Sequence, residues 1–354
     1  MKVLSWPGRS FSENPYIAAL CAALERGGAS VSDFTPQCAV AQTWDVVHVH
    51  WPEQIFWKAR DPVKAAAYAS GVLFSLAAAR LRGAAIIWTV HNLRPHEMSP
   101  AERTIWKALS ALLPRCVDGF ITLSPSTLDI VRQVFPGLAG KPGRAIIHGH
   151  YRDFYPRGAE KTAAREALGL DPGARVIVHP GLVRRYKGID QLIQSFMDLR
   201  CPDTTLVIAG RPVPEAYGDA LNSRVRGDRR IRLELGFQSE EKLALLLSAA
   251  DLVVLPFESG LHSGSLLLAL SFSRPTLVRR TPYASDIASL VGDSWVRLLT
   301  TALDSEVLAQ ALSWGSASRP REGPPMAAFG WEAIGEQTLD FYKAVRAASS
   351  AVTT

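Results

Sequence analysis

Cysteine is scarce in this 354-residue chain, and none of it stands in a metal-binding spacing. The four cysteines form no C-x-x-C pair and no Cys/His pattern of the kind that holds zinc. Long apolar runs are also missing, because Arg80 and Asp251 interrupt the longest ones before they could span a bilayer. No secretory signal opens the chain. We therefore expect a reduced, cytoplasmic protein that does not cross a membrane.

Sequence signatures of several ligand classes are absent as well. No G-x-x-x-x-G-K-[ST] sequence occurs, and no G-x-G-x-x-G sequence follows the first predicted strand, so neither a P-loop nor a dinucleotide site is expected. There is no D-x-D sequence to hold a metal, and we predict none. Helix-turn-helix, RNP and zinc-finger signatures are missing too, which argues against nucleic-acid binding.

The charge that is present is unevenly distributed. The net charge is +6 and the isoelectric point is about 9.2. Between positions 58 and 115 only Asp61, Glu97 and Glu102 oppose the basic residues Lys58, Arg60, Lys64, Arg80, Arg82, Arg94, Arg103, Lys107 and Arg115. The aromatic residues Phe56, Trp57, Phe74 and Trp106 lie among them. This mixture suits the surface of an anionic bilayer; the alternative is a pair of solvated helix faces over a core.

Strand-like and helix-like segments alternate in both halves of the chain. In the first half, strands are predicted over 1–6, 45–50, 85–91 and 119–124, with helices over 15–28, 65–83 and 99–113. In the second half, strands over 175–181, 204–210, 231–236, 251–257 and 275–278 alternate with helices over 187–199, 239–250 and 264–273. The pattern predicts two doubly wound parallel-sheet domains.

The predicted domains are residues 1–156 and residues 157–325. Residues 326–354 are predicted as a helix that packs back across the first domain, followed by a tail. Ligands of open α/β sheets bind beyond the carboxyl ends of the strands, so we expect a cleft between the two domains there.

Two segments of the second domain predict an anion site. In "HPGLVRRYKG", Arg184 and Lys187 lie between a strand and the helix that begins near Gly188, so two cations and a helix amino end can meet one anion. In "LPFESGLHSGSLLLAL", a second helix begins at the end of a strand, and its start contains His262, Ser263, Gly264 and Ser265. Each segment alone could be a solvated turn or an ordinary helix cap. Together they favour a nucleotide-diphosphate site.

At this point the sequence resembles the GT-B glycosyltransferases, over nearly the whole chain. The resemblance lies in "YKGIDQLIQSF", "ADLVVLPF" and "FGWEAIGEQTLDFY". More narrowly, "NPYIAAL", "HVHWPE", "TVHNLRPHE", "IIHGHYRDFY", "GLVRRYKG" and "SGSLLLALSFSRP" resemble the β-1,4-mannosyltransferases of xanthan-type exopolysaccharide assembly. This resemblance implies a metal-independent transfer from GDP-mannose to an oligosaccharide on polyprenyl diphosphate, at the inner face of the cell membrane. It also implies that "LELGFQSEEKL" borders the nucleobase.

One departure from the wider GT-B pattern concerns stereochemistry. Retaining members carry two glutamates separated by seven residues near this loop, whereas here Glu258 is followed eight positions later by Leu266. Leu268 stands where a glutamate would precede Ala269. The missing pair favours an inverting displacement, which gives a β-linkage.

The base for such a displacement is expected at a strand end of the first domain. Glu53 follows the strand "DVVHVH", and a carboxylate made less acidic by burial is a suitable proton acceptor. His91, after the next strand, is its rival, and the resemblance gives His91 a contact with the donor sugar. His48 and His50 point to one side of their strand, and each is either functional or a buried structural histidine.

The predicted acceptor-binding residues come from several loops. They are Asn14, Tyr16, His50, Glu97, His150, Tyr151 and Arg152. A purely structural role is open for Glu97 in its turn and for the segment "HGHYRDFY" near the domain boundary. Two other functions also remain open: a GT-B transferase with a UDP-sugar donor, and an inactive scaffold that binds membrane or partner proteins.

Overall fold

The computed structural model describes residues 1–11, 14–59, 61–95 and 98–351, without the side chains of residues 57, 58, 350 and 351. The chain divides into two compact units, one made of Met1–Gly149 with Ala328–Thr354 and one made of His150–Ala327. The predicted boundaries lie instead after residues 156 and 325. Each unit is built on a six-stranded parallel sheet, which confirms the predicted α/β class.

The elements of the first unit follow in chain order. The strands are β1 (Lys2–Trp6), β2 (Ser30–Asp33), β3 (Val46–Val49), β4 (Ala85–Thr89), β5 (Gly119–Thr122) and β6 (Gly143–Ala145). The helices are α1 (Pro15–Arg26), α2 (Pro36–Ala41), α3 (Gln54–Lys58), α4 (Pro62–Leu81), α5 (Pro100–Cys116), α6 (Leu128–Val134) and, from the end of the chain, α14 (Trp331–Ala351). Short 3-10 turns cover Pro125–Thr127, Pro136–Leu138 and Ala327–Phe329.

The second unit repeats the same alternation. Its strands are β7 (Arg175–Pro180), β8 (Thr204–Gly210), β9 (Ile231–Leu235), β10 (Leu252–Leu255), β11 (Thr276–Arg279) and β12 (Val296–Leu299). Its helices are α7 (Lys161–Ala167), α8 (Ile189–Met197), α9 (Glu215–Arg224), α10 (Glu240–Ala249), α11 (Gly264–Ser271), α12 (Pro282–Val291) and α13 (Ser305–Gly315). A 3-10 turn at Arg185–Lys187 precedes α8.

Local sequence signals start several of these helices where predicted. Ser99 accepts from the amide of Glu102 and the Glu102 carboxylate accepts from the amide of Ser99, a reciprocal capping box at α5. Ser239 caps α10. The apolar side chains of α8, which include Leu192 and Phe196, are buried in the core of the second unit.

Strand order fixes where ligands can bind in each sheet. The first sheet runs β2-β1-β3-β4-β5-β6 and the second β12-β11-β10-β7-β8-β9, with all strands parallel. The order reverses between β1 and β3 in the first sheet and between β7 and β10 in the second. Loops leaving the carboxyl ends of two such strands diverge to opposite faces of the sheet and leave a crevice.

The helix α14 belongs to the first unit, as predicted. It packs against α1 and β4, and Gly335 allows the close approach, because a Cβ there would lie 2.9 Å from the Cβ of Ala23. The ring of Trp331, at the start of α14, covers Gly149 in the same way.

The helix α4 combines an apolar composition with limited burial. Among the described residues it is the one helix long and apolar enough to cross a membrane, and a third of it is buried. In the fold it packs on α2, α5 and β4. Of the aromatic residues that suggest a membrane surface, Phe56 and Trp106 are buried in the protein and Phe74 is exposed, which corrects the surface role predicted for the first two; the side chain of Trp57 lies outside the described residues.

Candidate active site

The loops that flank the β7/β10 crevice contain the residues predicted to bind a diphosphate. After β7 the chain turns at Gly181 and passes through the 3-10 turn into α8. Gly188 is left-handed, with φ of 69°, and a Cβ there would lie 2.5 Å from the carbonyl oxygen of Pro256, so this position requires glycine. The glycine brings the loop after β7 against the loop after β10.

Lys187 and Ser265 meet at Gly181. A Cβ on Gly181 would lie 3.0 Å from Ser265 Oγ and 3.3 Å from Lys187 Nζ, so the bare glycine leaves room between the amine and the hydroxyl. Ser265 Oγ also donates to the carbonyl of Pro180 at 3.2 Å. The structure thus brings the two predicted anion-binding segments together at one strand end.

Lys187 is a buried cation. Its side chain is 7% exposed, and its amine lies 5.1 Å from the ring centre of Phe257. Burial, reinforced by the nearby positive charge of Arg184, lowers the pKa of Lys187 to about 7. No carboxylate among the described residues forms an ion pair with it. A bound anion would supply the missing negative charge.

The other two cations of this segment diverge. The Nε atom of Arg184 is buried and has no hydrogen-bond partner in the part of the chain that the structure describes. Arg185 instead places its guanidinium 4.7 Å from the ring centre of Tyr217. Arg184 and Lys187 are therefore the pair available to a ligand, as the sequence suggests, while Arg185 covers an aromatic ring.

The start of α11 forms the other side of the β7/β10 crevice. Ser263 caps the helix by accepting from the amide of Leu266 at 3.2 Å, and the ring of His262 packs edge-on against Tyr283. A Cβ on Gly264 would lie 3.0 Å from the hydroxyl oxygen of Tyr151. The helix amino end, with its unpaired N–H groups and positive dipole, adds to the attraction for an anion.

Tyr151 therefore lies beside the predicted diphosphate residues. Its amide donates to Ser271 Oγ at 2.9 Å, which ties it to α11, and the whole segment from His150 to Arg152 belongs to the second unit. These bonds correct its predicted position in the first domain. His150, Tyr151 and Arg152 thus belong to a different unit from the other predicted acceptor residues.

In the first unit, the β1/β3 crevice gathers aromatic and imidazole rings. Nδ1 of His50 and Nε2 of His91 lie 3.3 Å apart, and His91 stacks on Trp51 with ring centres 4.2 Å apart. Tyr16 packs edge-on against both histidines. Three predicted residues, from the loops after β1, β3 and β4, thus form one cluster, and burial lowers the pKa of His50 well below its usual value.

Glu53 lies at the same strand end and is 5% exposed. Its Oε1 accepts from the side-chain amide of Asn92 at 2.7 Å, and Asn92 directly follows His91. Burial raises the pKa of Glu53 to about 7, although the bond from Asn92 opposes the shift. A carboxyl that titrates near neutral pH can accept a proton from a substrate hydroxyl and release it again.

The remaining predicted residues of the first unit have structural contacts or lie outside the described residues. Asn14 accepts from the amide of Tyr16 at 3.0 Å and so caps α1. Glu97 lies outside the described residues. His48 has a structural role: its Nδ1 shares a hydrogen bond with the hydroxyl of Tyr342 at 2.5 Å, and its Nε2 shares one with the hydroxyl of Thr89 at 2.7 Å. The sequence does not predict the contacts of Asn92 and Tyr342. The position of Asn92 directly after His91 is a weak signal, and Tyr342 has no sequence signal.

The described residues contain no group of three or more His, Cys, Asp or Glu side chains arranged to hold a metal ion. Positive charge for an anionic ligand comes from Arg184, Lys187 and the α11 amino end.

Comparison with known proteins gives consistent results. A family model described as glycosyl transferases group 1 matches residues 174–315. The GDP-mannose:glycolipid 4-beta-D-mannosyltransferase of Xanthomonas campestris pv. campestris is 31% identical over 326 residues, which cover 91% of this chain and 86% of that enzyme.

Two solved structures share the fold over the whole chain. Sucrose-phosphate synthase from Thermosynechococcus elongatus aligns with a TM-score of 0.70 and 17% identity, covering 98% of this chain and 99% of that one. Anabaena HepE, solved with UDP-glucose, aligns with a TM-score of 0.65 and 16% identity, covering 99% and 100%.

Replacing Lys187 by methionine tests the anion site without a substrate. Because the folded protein holds Lys187 with a lowered pKa, it binds fewer protons there than the unfolded chain, so stability should rise with pH above 7. Lys187→Met should remove this slope and stabilise the free protein at pH 7 by about 1–4 kcal/mol. Denaturant unfolding between pH 6 and 10 measures both effects.

The matched control is Lys107→Met, at an exposed position of α5. It should change the free energy of unfolding by less than about 0.5 kcal/mol. A Lys187→Met protein that is less stable than the parent at pH 7 would contradict the burial cost assigned to this amine.

Proposed function

Because this chain belongs to the group 1 glycosyltransferases and has the GT-B fold, we propose that it transfers mannose from GDP-mannose to an oligosaccharide on polyprenyl diphosphate. The product carries a β-linkage and serves bacterial exopolysaccharide assembly. The similarity to the Xanthomonas enzyme over most of both chains carries this proposal, since the name of that enzyme specifies GDP-mannose, a glycolipid and a β-linkage.

The second unit binds the donor in this proposal. The diphosphate is held by Arg184, Lys187 and the amino end of α11. Ser263 and Ser265, at the start of that helix, lie beside it. Tyr151 joins this set, because its hydroxyl lies against Gly264. When the bond from the mannose C1 to the diphosphate oxygen breaks, the electron pair leaves with GDP. The cations stabilise that charge, so the proposal assigns no metal to the reaction.

The first unit supplies the base. Glu53 takes the proton of the acceptor hydroxyl while the hydroxyl oxygen attacks C1 from the face opposite to the leaving diphosphate, which inverts the configuration. Asn92 holds the carboxylate in place. His91 and His50 form the wall of stacked rings beside it, with Tyr16 and Trp51, and bind sugar. We place the protein in the cytoplasm, peripheral on the inner face of the cell membrane, with the first unit toward the lipid.

Nucleotide selectivity tests the donor. We expect GDP and GDP-mannose to raise the unfolding temperature more than UDP, ADP or their sugar conjugates, because binding to the folded state stabilises it by about 2.7 kcal/mol at a hundredfold excess over Kd. Arg184→Ala should abolish the shift, and Arg185→Ala, the adjacent residue on Tyr217, should retain it. A preference for UDP would overturn the donor. No response to any nucleotide would favour an inactive scaffold.

The pH dependence of the rate tests the base. Since Glu53 must be ionised and its pKa is about 7, turnover should rise through pH 7 and level off above pH 8. Glu53→Gln should lower kcat about 10²- to 10⁴-fold. Asn92→Ala should move the acid limb to higher pH, because the bond that favours the charged carboxylate is lost.

Glu258→Gln provides the control, because Glu258 is the lone glutamate where retaining relatives carry a pair. Its turnover should match that of the parent. Loss of turnover in this control, with Glu53→Gln unaffected, would contradict the assignment of the base.

A further inference from the structure

A pocket of about 530 Å³ lies at the amino edge of the first sheet, away from the strand ends that form the site. It opens between the last turns of α4, α5 and α14, next to the starts of β4 and β5. Parallel strands carry their amino ends at the edge opposite to their carboxyl ends, so this pocket is separate from His91 and Glu53. Nothing in the proposed reaction uses it.

The pocket is lined by arginine. Arg80, Arg115 and Arg346 contribute guanidinium groups, against the single carboxylate of Asp118. Asp118 is already engaged, because it accepts from Arg80 at 2.8 Å and from the amide of Ile86 at 2.9 Å. Its side chain is 6% exposed, whereas that of Arg80 is 52% exposed, so the cation and not the anion faces the solvent.

The other two arginines add to this excess. Arg115 is exposed, and its guanidinium donates to the carbonyl of Ala111, one turn back on its own helix, at 3.1 Å. Arg346 reaches Asp45 at 2.7 Å, outside the pocket lining, and its side chain remains 40% exposed. Planar guanidinium groups that line one pocket suit phosphate oxygens.

An exposed apolar stripe runs directly into the pocket. Val63, Phe74 and Leu81 on α4 are 76%, 68% and 90% exposed, and Leu81 itself lines the pocket. Their spacings of eleven and eighteen residues correspond to about three and five helical turns, so all three side chains lie on one face over about 27 Å. Lys64 at one end and Arg82 at the other are also exposed.

We propose that the arginine pocket binds the phosphate of an anionic membrane phospholipid while the α4 stripe enters the acyl region beside it. A free phosphate would gain nothing from a stripe of exposed Phe and Leu, whereas a phospholipid carries a phosphate and apolar chains in one molecule. The inference rests on the proposed function only in taking the bilayer as the partner. The pocket takes no part in donor or acceptor binding.

Vesicle sedimentation of the full chain tests this surface without any substrate. The protein should pellet with phosphatidylglycerol vesicles at low salt and be released as the ionic strength rises. Arg115→Glu should weaken the partition at least about tenfold, since it removes one attractive charge and adds a repulsive one. The Phe74→Ser/Leu81→Ser protein should weaken it to a similar extent.

Matched controls lie away from the pocket. Arg200→Glu reverses an exposed charge on the second unit, and Val134→Ser removes an exposed apolar side chain from α6. Both should bind vesicles like the parent. The stabilisation by GDP, measured on every variant, shows whether the nucleotide site is intact, so failure of the proposed donor and failure of this surface are distinguished.

Three results would overturn the inference. The first is that the parent protein fails to bind anionic vesicles. The second is that the Arg115→Glu and the Phe74→Ser/Leu81→Ser proteins bind these vesicles as strongly as the parent does. The third is that inorganic phosphate displaces the protein from the vesicles, and that Arg115→Glu weakens vesicle binding while Phe74→Ser/Leu81→Ser does not. This third result would identify a site for free phosphate.

Discussion

Each unit of this protein buries one ionisable group without an opposite charge, and the proposed reaction depends on these two groups. Lys187 in the second unit and Glu53 in the first are both more than nine-tenths buried, and burial pulls their pKa values toward 7 from opposite directions. Among the described residues Lys187 has no carboxylate partner, and Glu53 accepts a hydrogen bond from the side-chain amide of Asn92. Burying either charge lowers the free energy of unfolding. A bound anion would offset this cost for Lys187, and protonation would offset it for Glu53.

The sheet topology explains why these groups lie where they do. Each sheet reverses its strand order once, and the candidate residues follow the carboxyl ends of the strands at or beside that reversal. In the second unit the glycines at 181 and 188 let those loops approach each other, so Lys187 and Ser265 both lie beside Gly181. In the first unit His50, His91 and Glu53 follow neighbouring strands and form one cluster. The same geometry leaves the opposite edge of the first sheet to a different ligand.

Much of the fold could be predicted from sequence, because central strands are continuous apolar runs and helices carry clear caps. The edge strands β2 and β6 could not, since "SVSD" and "GRA" are half exposed and show no apolar pattern. The cations at 184 and 187 were predictable from their position between a strand and a helix. The place of Tyr151 was not, because it depends on a bond to Ser271 that is 120 residues distant in sequence. The partnership of Tyr342 with His48 is equally invisible in the sequence.

The most direct test of this account is an NMR titration of Lys187 in protein with isotope-labelled lysine, its signal identified by its absence in Lys187→Met. The account predicts that the amine titrates near pH 7 in the free protein and that its pKa rises when GDP binds, because the diphosphate supplies the missing charge. An amine that titrates at its ordinary value near 10.5 in the free protein, or one that GDP leaves unchanged, would contradict it.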